Sequence, residues 1–150
     1  MKLLSALSLT LLLTACEPMG PVPGGALTGQ LTPPPRTWTE ADAAEVVQLE
    51  LRPSDPYSIN IWGVGIEDDY YIAAGEGGKA RWTEFIAADP NVKLRIGRDL
   101  YQLVAVRVVD PEEQRRVLAR YAAKYPEDSD QLAESADEAW LFRLDPRSQR

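Results

Sequence analysis

The sequence predicts a single α+β domain built on an antiparallel sheet or a small β-barrel. Its 150 residues suit one domain of ordinary size. Short segments of alternating apolar and polar residues follow one another through turns, which is typical of hairpins. Two longer segments have helical spacing, and the strand–helix–strand alternation of parallel α/β folds is absent. These observations favour about six antiparallel strands with two main helices and a short N-terminal helix.

The first half of the domain carries the short helix and three predicted strands. Thr39 and Asp42 suggest the start of a helix over about residues 40–45. The apolar parity of the second strand slips at Gly63 and Gly65, which indicates a bulge or a tight barrel bend. The strands are predicted at 46–52, 58–66 and 70–74, with turns at 53–57 and 67–69.

The second half contains both main helices. Trp82, Phe85 and Ile86 form the apolar face of a helix over about residues 80–88. Asp110 as N-cap and Pro111 at the first helical position begin the other helix, which ends near Lys124. Strands are predicted at 92–96, 100–109 and 140–144. Residues 127–138 hold six acids and no base, which indicates a solvated loop with at most one helical turn.

Residues 1–15 have the pattern of an export signal. Lys2 precedes an apolar run of eleven residues, Leu3–Leu13, whereas a membrane-spanning helix needs about 20. The end of this run, Leu13-Thr14-Ala15-Cys16, resembles the lipobox of bacterial lipoproteins. That resemblance implies cleavage before Cys16 and a diacylglycerol on its sulfur. The alternative is a plain secretory signal in which the cysteine is incidental.

The predicted organisation has four parts. Residues 1–15 are the signal peptide, 16–36 the lipidated Cys16 and a Pro/Gly-rich tether, 37–146 the domain and 147–150 a tail. The tether is expected to be disordered or polyproline II, the alternative being a Pro-rich ligand for a partner. Acyl chains on Cys16 would hold the protein to the lipid bilayer of the cell envelope. An Asp directly after the lipidated cysteine resembles an inner-membrane retention signal. This chain has Glu17 at that position, which favours the periplasmic face of the outer membrane in a Gram-negative host.

Composition excludes several function classes. There are 23 acidic and 16 basic residues, a net charge of −7, which argues against nucleic acid as a partner. The chain has no His and one Cys, so His catalysis, His ligands, an intrachain disulfide and Cys-pair metal sites are excluded. The acids of 127–138 lack the spacing of a calcium loop, and no metal site is predicted.

One stretch of the domain resembles a known superfamily. Ile61-Trp62, Tyr70-Tyr71-Ile72 and the passage Gly75-Glu76-Gly77-Gly78-Lys79-Ala80-Arg81-Trp82 are similar to the FMN-binding split β-barrel proteins, of which pyridoxamine 5′-phosphate oxidase is the familiar member. Within this superfamily the sequence resembles the deazaflavin-dependent nitroreductases and a related bacterial family more closely. Their pattern of strand, Gly-Gly, basic residue, Trp helix, Ala-x-Pro, strand and Gly spans residues 70–97 here. The resemblance covers about residues 38–145.

The resemblance implies a homodimer with FMN or a deazaflavin at the subunit interface. Gly77, Gly78, Lys79 and Arg81 would take the cofactor phosphate, and Trp62 would stack on its ring. Glycines allow close approach of the backbone to an anion, and a helix N-terminus attracts one, which is consistent with this assignment. The alternatives are that both cations are solvated residues at a helix start and that Trp62 belongs to the core.

One departure from the pattern separates the possible functions. The deazaflavin enzymes carry Arg-Lys-Ser-Gly between the first two strands, where this chain has Arg52-Pro53-Ser54-Asp55-Pro56. A single cation remains there, and Asp55 and Glu76 would repel phosphate. A cofactor-free binding module of unknown ligand is therefore favoured. A flavin- or deazaflavin-dependent oxidoreductase and a purely structural lipoprotein are the alternatives, and no catalytic residue is identified.

Overall fold

The computed structural model describes residues 16–128, 130 and 136–148. The strands are β1 (Gln30–Leu31), β2 (Val47–Leu51), β3 (Tyr57–Ile61), β4 (Gly63–Ile66), β5 (Asp69–Ala74), β6 (Asn91–Ile96), β7 (Asp99–Arg107) and β8 (Trp140–Pro146). The helices are α1 (Arg81–Ala88) and α2 (Pro111–Lys124). Short 3-10 turns lie at Ala41–Ala43, Glu76–Gly78, Pro126–Asp128 and Ala136–Glu138. The predicted helix at 40–45 is thus a single 3-10 turn.

Strands β2 to β8 form one antiparallel sheet in the order β3-β2-β6-β7-β8-β5-β4, and β1 adds to β7 in parallel. Strands β3 and β4 occupy the two edges of this order although only Trp62 separates them in the chain. Because the chain passes from one edge to the other in a single residue, the sheet must curl round on itself. The predicted α+β split barrel is confirmed. It has one strand more than expected in the main sheet, because the predicted strand 58–66 divides at Trp62.

The interior of the curled sheet holds the main core. Leu49, Leu94 and Tyr101 lie side by side on neighbouring strands, since Leu49 pairs with Leu94 and Leu94 with Tyr101. Ile86 of α1 is buried in this core, with Trp82 and Phe85 partly buried against it, which confirms the predicted apolar face of that helix. Other buried members are Trp38, Val47, Leu51, Tyr70, Ile72, Val92, Leu103, Ala105, Phe142 and Leu144.

Two glycines of β4 make the barrel bend possible. A Cβ atom at Gly63 would lie 2.6 Å from the Tyr70 ring, and one at Gly65 would lie 2.6 Å from the Trp38 carbonyl oxygen. Both distances are far inside van der Waals contact, so only glycine lets these aromatic residues pack against the strand. The parity slip in the sequence therefore marks a bend, as predicted.

Helix α2 covers the outer face of β4, β5 and β8 and forms a second core. Its start is as predicted: the Asp110 side chain accepts a hydrogen bond from the Glu113 amide at 2.9 Å, and Pro111 occupies the first turn. Val117, Tyr121 and Tyr125 are buried against Val64, Tyr71, Val108 and Leu141. Tyr71 therefore points outward while Tyr70 fills the barrel interior, as alternation along one strand requires.

A buried ion pair ties α2 to β4. Asp42 is 7% exposed and accepts a hydrogen bond from the Gly65 amide at 2.7 Å. Lys124 approaches its carboxylate at 3.3 Å and donates to the Gly63 carbonyl at 2.7 Å. Arg120 also pairs with Asp42. Burial lowers the pKa of Lys124, and the charge of Asp42 opposes that shift.

The Pro/Gly-rich segment was expected to be a disordered or polyproline II tether, but it lies against the outer face of the sheet. Leu27 is 5% exposed, and its amide donates to the buried carboxylate of Glu50 at 2.7 Å. Gly24 and Ser58 exchange two backbone hydrogen bonds, of 2.8 and 2.9 Å. The composition did not reveal these contacts, because the glycines between the prolines have backbone amide groups, which prolines lack, and these can donate hydrogen bonds to the sheet. The fixed segment brings residue 16 close to the domain.

The predicted signal peptide, residues 1–15, lies outside the described residues, as do part of the acidic segment, 129 and 131–135, and the end of the tail, 149–150. In the part of the chain that the structure describes, no helix combines the length and the apolar character needed to cross a bilayer.

Candidate functional site

The loop between β5 and α1 has an unusual backbone. Glu76, Gly77 and Gly78 have φ angles of 53°, 65° and 71°, so three successive residues are left-handed. A Cβ atom at Gly77 would meet nothing within 4 Å, whereas one at Gly78 would overlap the ring of Trp140. The two glycines therefore differ: Gly78 makes room for a side chain of the same protein, and Gly77 leaves open space.

The N-terminus of α1 faces this loop without a side-chain cap. The N-cap residue is Ala80, which has no side-chain acceptor for the first amide groups. The Thr83 hydroxyl is 2.8 Å from the Ala80 carbonyl and also reaches the Gly78 carbonyl, and this contact fastens the loop to the helix. Free amide groups and the helix dipole together give the loop a positive potential that favours an anion.

Two exposed cations begin α1, and a third comes from another strand. Among the described residues, Lys79 and Arg81 have no carboxylate within 4.0 Å. The Arg81 guanidinium lies 5.7 Å from the centre of the Phe85 ring, and that of Arg52, just after β2, lies 4.9 Å from the same ring. Arg52 forms an ion pair with Asp55, so its charge is already compensated.

Arg107 and Trp140 complete this end of the barrel, and the sequence analysis missed both. The Arg107 guanidinium lies 4.4 Å from the centre of the Trp140 ring. It has no carboxylate partner within the described ranges, and burial lowers its pKa. The sequence of β7 did contain a signal. Arg107 follows Leu103 and Ala105 at every second position, on the strand face that points into the core, where a cation is unexpected.

Acidic residues border the same loop. Glu76 belongs to it, and the 3-10 turn that carries Asp137 and Glu138 packs against it. Cations therefore follow the loop at the start of α1, while carboxylates lie in the loop itself and in the turn before β8. Such a mixed field suits a small anionic group at the helix start better than an extended polyanion.

Trp62 lies at the β3–β4 edge with one face covered. Its ring stacks on Tyr125 at 4.8 Å with 14° between the planes, and 38% of the residue is exposed. Gly63 pairs with Ile72, which precedes the loop at Gly75 by three residues, about 10 Å of extended chain. Trp62 therefore lies beside the strand that leads into the loop, and its packing on Tyr125 is that of a core residue.

Lys93 and Arg95, which share one face of β6, are engaged in ion pairs. Lys93 contacts Glu50 at 2.7 Å and Arg95 contacts Glu17 at 2.6 Å. Arg95 thus binds the N-terminal segment directly, and Lys93 binds Glu50, which accepts a hydrogen bond from that segment. Across residues 16–128, 130 and 136–148, no group of His, Cys, Asp or Glu side chains is arranged to hold a metal ion.

Comparison with solved structures shows the same fold in proteins of low sequence identity. The heme storage protein HutZ from Vibrio cholerae is similar with a TM-score of 0.60 and 20% identity, over 73% of this chain and 87% of that one. A putative pyridoxamine 5′-phosphate oxidase from Listeria innocua has a TM-score of 0.55 and 16% identity, over 73% and 90%. The F420-H2 dependent reductase FDR-A has a TM-score of 0.57 and 16% identity, over 67% and 94%. No curated protein matches the chain.

One family model matches most of the folded part. It is described as "Uncharacterized protein conserved in bacteria (DUF2255)" and matches residues 39–140. The match begins just before the first 3-10 turn and ends at the first residue of β8. It therefore includes the left-handed loop, α1, α2 and every strand from β2 to β7. The chain belongs to the bacterial family DUF2255.

Proposed function

We propose that this protein is a lipid-anchored module of the bacterial cell envelope whose split-barrel domain binds an anionic ligand at the Gly77–Arg81 loop. One observation supports the binding site above all. Lys79 and Arg81, without acidic partners in the described chain, flank an uncapped helix N-terminus beside the open space at Gly77. A phosphate or carboxylate group there would accept hydrogen bonds from free amides and from both cations.

The loop fits the anionic end of a flavin or deazaflavin only in part. Gly77 and Arg81 suit one phosphate group, but Arg52 is engaged by Asp55 and the space at Gly78 belongs to Trp140. These are the positions at which the resemblance implied the rest of a phosphate cradle. The residues present therefore fit a single anionic group, and the loss of the other cradle contacts at Arg52 and Gly78 favours the cofactor-free binding module.

An oxidoreductase is the second candidate function, and the position of Trp62 supports it. The indole is partly exposed beside the strand that leads into the loop, and it would offer a surface to an aromatic ring. A bound flavin or deazaflavin would supply hydride transfer. The chain itself would contribute the anion contacts of Lys79 and Arg81 and the packing of Trp62.

Titration separates these functions. Inorganic phosphate, FMN and a deazaflavin are added to the wild type and to the double variant Lys79→Ala, Arg81→Ala. Each charge-assisted contact contributes roughly 1.5–3 kcal/mol, so the double variant should bind about a hundredfold more weakly or worse. The double variant Arg98→Ala, Arg115→Ala removes the same charge elsewhere and should bind as the wild type does.

The three ligands give different answers. Binding of inorganic phosphate alone supports the anion-binding module. Tight binding of FMN or the deazaflavin, with the flavin's absorption near 450 nm or deazaflavin fluorescence in the purified protein, supports the oxidoreductase. Binding that Lys79→Ala, Arg81→Ala leaves unchanged places the site elsewhere. If none of the three ligands binds, the anion site is refuted and the structural lipoprotein becomes the preferred function.

The lipid anchor rests on the sequence before Cys16. In the structure Cys16 is exposed, as acylation of its sulfur requires. Cys16→Ser should leave the unprocessed precursor in whole cells, detected by its larger mass, and should abolish incorporation of labelled fatty acid. A Cys16→Ser protein that matures and stays with the membrane fraction would refute the anchor.

We also propose that the domain forms a homodimer. Val46 and Trp62, 49% and 38% exposed, lie at adjoining ends of β2 and β3 and leave apolar surface uncovered in one subunit. Sedimentation equilibrium at tens of micromolar should give the dimer mass. A monomer there would argue against both the dimer and an interface cofactor.

A further inference from the structure

A small apolar turn projects from the N-terminal segment three residues after Cys16. Met19 and Val22 exchange two backbone hydrogen bonds of 3.0 Å, and Gly20 between them has φ 55°. Met19 is 77% exposed and Val22 59% exposed. We call residues Met19–Val22 the apolar turn. A surface of this kind has no partner within the described chain and is costly to leave in water.

The apolar turn is fixed to the sheet and does not swing on a free chain. The Asn60 side chain donates to the Gly20 carbonyl at 3.1 Å. Arg95 binds both carboxylate oxygens of Glu17, at 2.6 and 2.9 Å, and lowers the pKa of that carboxyl group. The Gly25 amide donates to the Cys16 carbonyl at 2.8 Å.

These contacts limit the distance between an anchor at Cys16 and the folded domain. A flexible tether of about twenty residues would have a root-mean-square length of about 25 Å. With the Cys16 carbonyl and the Glu17 carboxylate bound to the folded domain, the anchor point is part of the domain surface. The apolar turn begins three residues later, within about 10 Å of chain.

We propose that the apolar turn inserts into the bilayer interface beside the acyl chains of Cys16 and seats the N-terminal segment, which covers the outer face of β2, β3 and β6, on the membrane. This inference rests on the proposed lipid anchor. A lipid surface fits because it receives the acyl chains and takes up small exposed apolar side chains at the same depth. The neutralised Glu17 adds no free charge that would oppose contact.

An environment-sensitive fluorophore tests the seating. A thiol-reactive NBD label is placed on Val22→Cys, or on Val109→Cys as a matched control, because Val109 is also an exposed valine, at 78% against 59% for Val22, and lies beyond the end of β7. The full-length gene is expressed and the processed, labelled protein is incorporated into vesicles of phosphatidylethanolamine and phosphatidylglycerol. Some of the lipids carry a doxyl quencher on the acyl chain.

The label at position 22 should emit at shorter wavelength and be quenched by the doxyl lipids, while the label at position 109 should remain in water. Equal exposure of both labels in protein that floats with the vesicles would overturn the proposal. A shift at position 22 without doxyl quenching would mean that protein, such as a second copy, covers the turn, and would also overturn it. Labelling of the unsubstituted protein would show a free Cys16 thiol and would refute the lipid anchor itself.

Discussion

Replacing Glu50 by Gln tests whether the N-terminal segment is part of the folded domain. Glu50 is 2% exposed, and its carboxylate accepts from Lys93 and from the Leu27 amide, each at 2.7 Å. The substitution preserves shape and removes the charge that both donors face. Breaking a fully buried pair costs roughly 3–5 kcal/mol. Because Lys93 is 29% exposed, water recovers part of that loss, and we expect about 2–3 kcal/mol.

Two measurements read the effect of Glu50→Gln separately. Urea unfolding gives the global free energy, and hydrogen exchange at the Leu27 amide reports the docking of the segment. We expect both to fall, the exchange protection more, since that amide loses a charged acceptor. Glu112→Gln is the control, because Glu112 and its partner Arg115 are 87% and 75% exposed and lie 3.9 Å apart. It should change stability by less than about 0.5 kcal/mol. If Glu50→Gln behaves like this control in both measurements, the segment is not held as described.

Two further predictions concern the aromatic residues. Gly78→Ala should be more destabilising than Gly77→Ala. Both substitutions carry the roughly 1–2 kcal/mol cost of a left-handed residue, but only Gly78→Ala also displaces the Trp140 ring. Equal urea midpoints of the two variants would refute the packing of that ring. Burial raises the pKa of Tyr125 from 10.0 to about 12, so the unfolded chain loses this proton first and stability is lost as the pH rises from 10 to 12. Burial also raises the pKa of Tyr70, Tyr71 and Tyr121, so the contribution of Tyr125 is the difference between the wild type and Tyr125→Phe, and we expect about 1–2 kcal/mol because its hydroxyl is only partly shielded from solvent. An equally steep loss of stability in Tyr125→Phe would show that Tyr125 is solvated in the native state.

Local patterns in the sequence predicted the elements well because their causes are local. Asp110 and Pro111 fix the start of α2 through the first-turn amide groups, whatever the rest of the chain does. The parity slip at Gly63 and Gly65 marked the bend, since a missing side chain is visible in the sequence. The strand order was not derivable in this way. That β3 and β4 lie on opposite edges depends on pairings such as Leu49 with Leu94, which no local pattern encodes.

The N-terminal segment shows where composition misleads. Prolines and glycines without apolar periodicity indicate a tether, and that inference holds only if no single contact is strong enough to fix the chain. Leu27 provides apolar burial and Glu50 a charged acceptor for its amide, and the two residues are 23 positions apart. A carboxylate buried on the outer face of β2 was the available signal, since a Glu between apolar strand residues needs a partner. Its partner could be identified only in three dimensions.

The two glycines of the loop have separate roles, and this limits what the resemblance implies. A Gly-Gly pair in such a position suggests that both residues yield space to a phosphate. Here the space at Gly78 belongs to Trp140, whose other neighbour is the guanidinium of Arg107, so that glycine serves the closure of the barrel. Of this pair only Gly77 leaves room for a ligand, as Gly75 does at the start of the loop. A site with open space at Gly77 and the two cations Lys79 and Arg81 is matched to one anionic group. The physical argument for a site that takes a single anionic group therefore lies in the difference between adjacent residues that the sequence motif treats as equivalent.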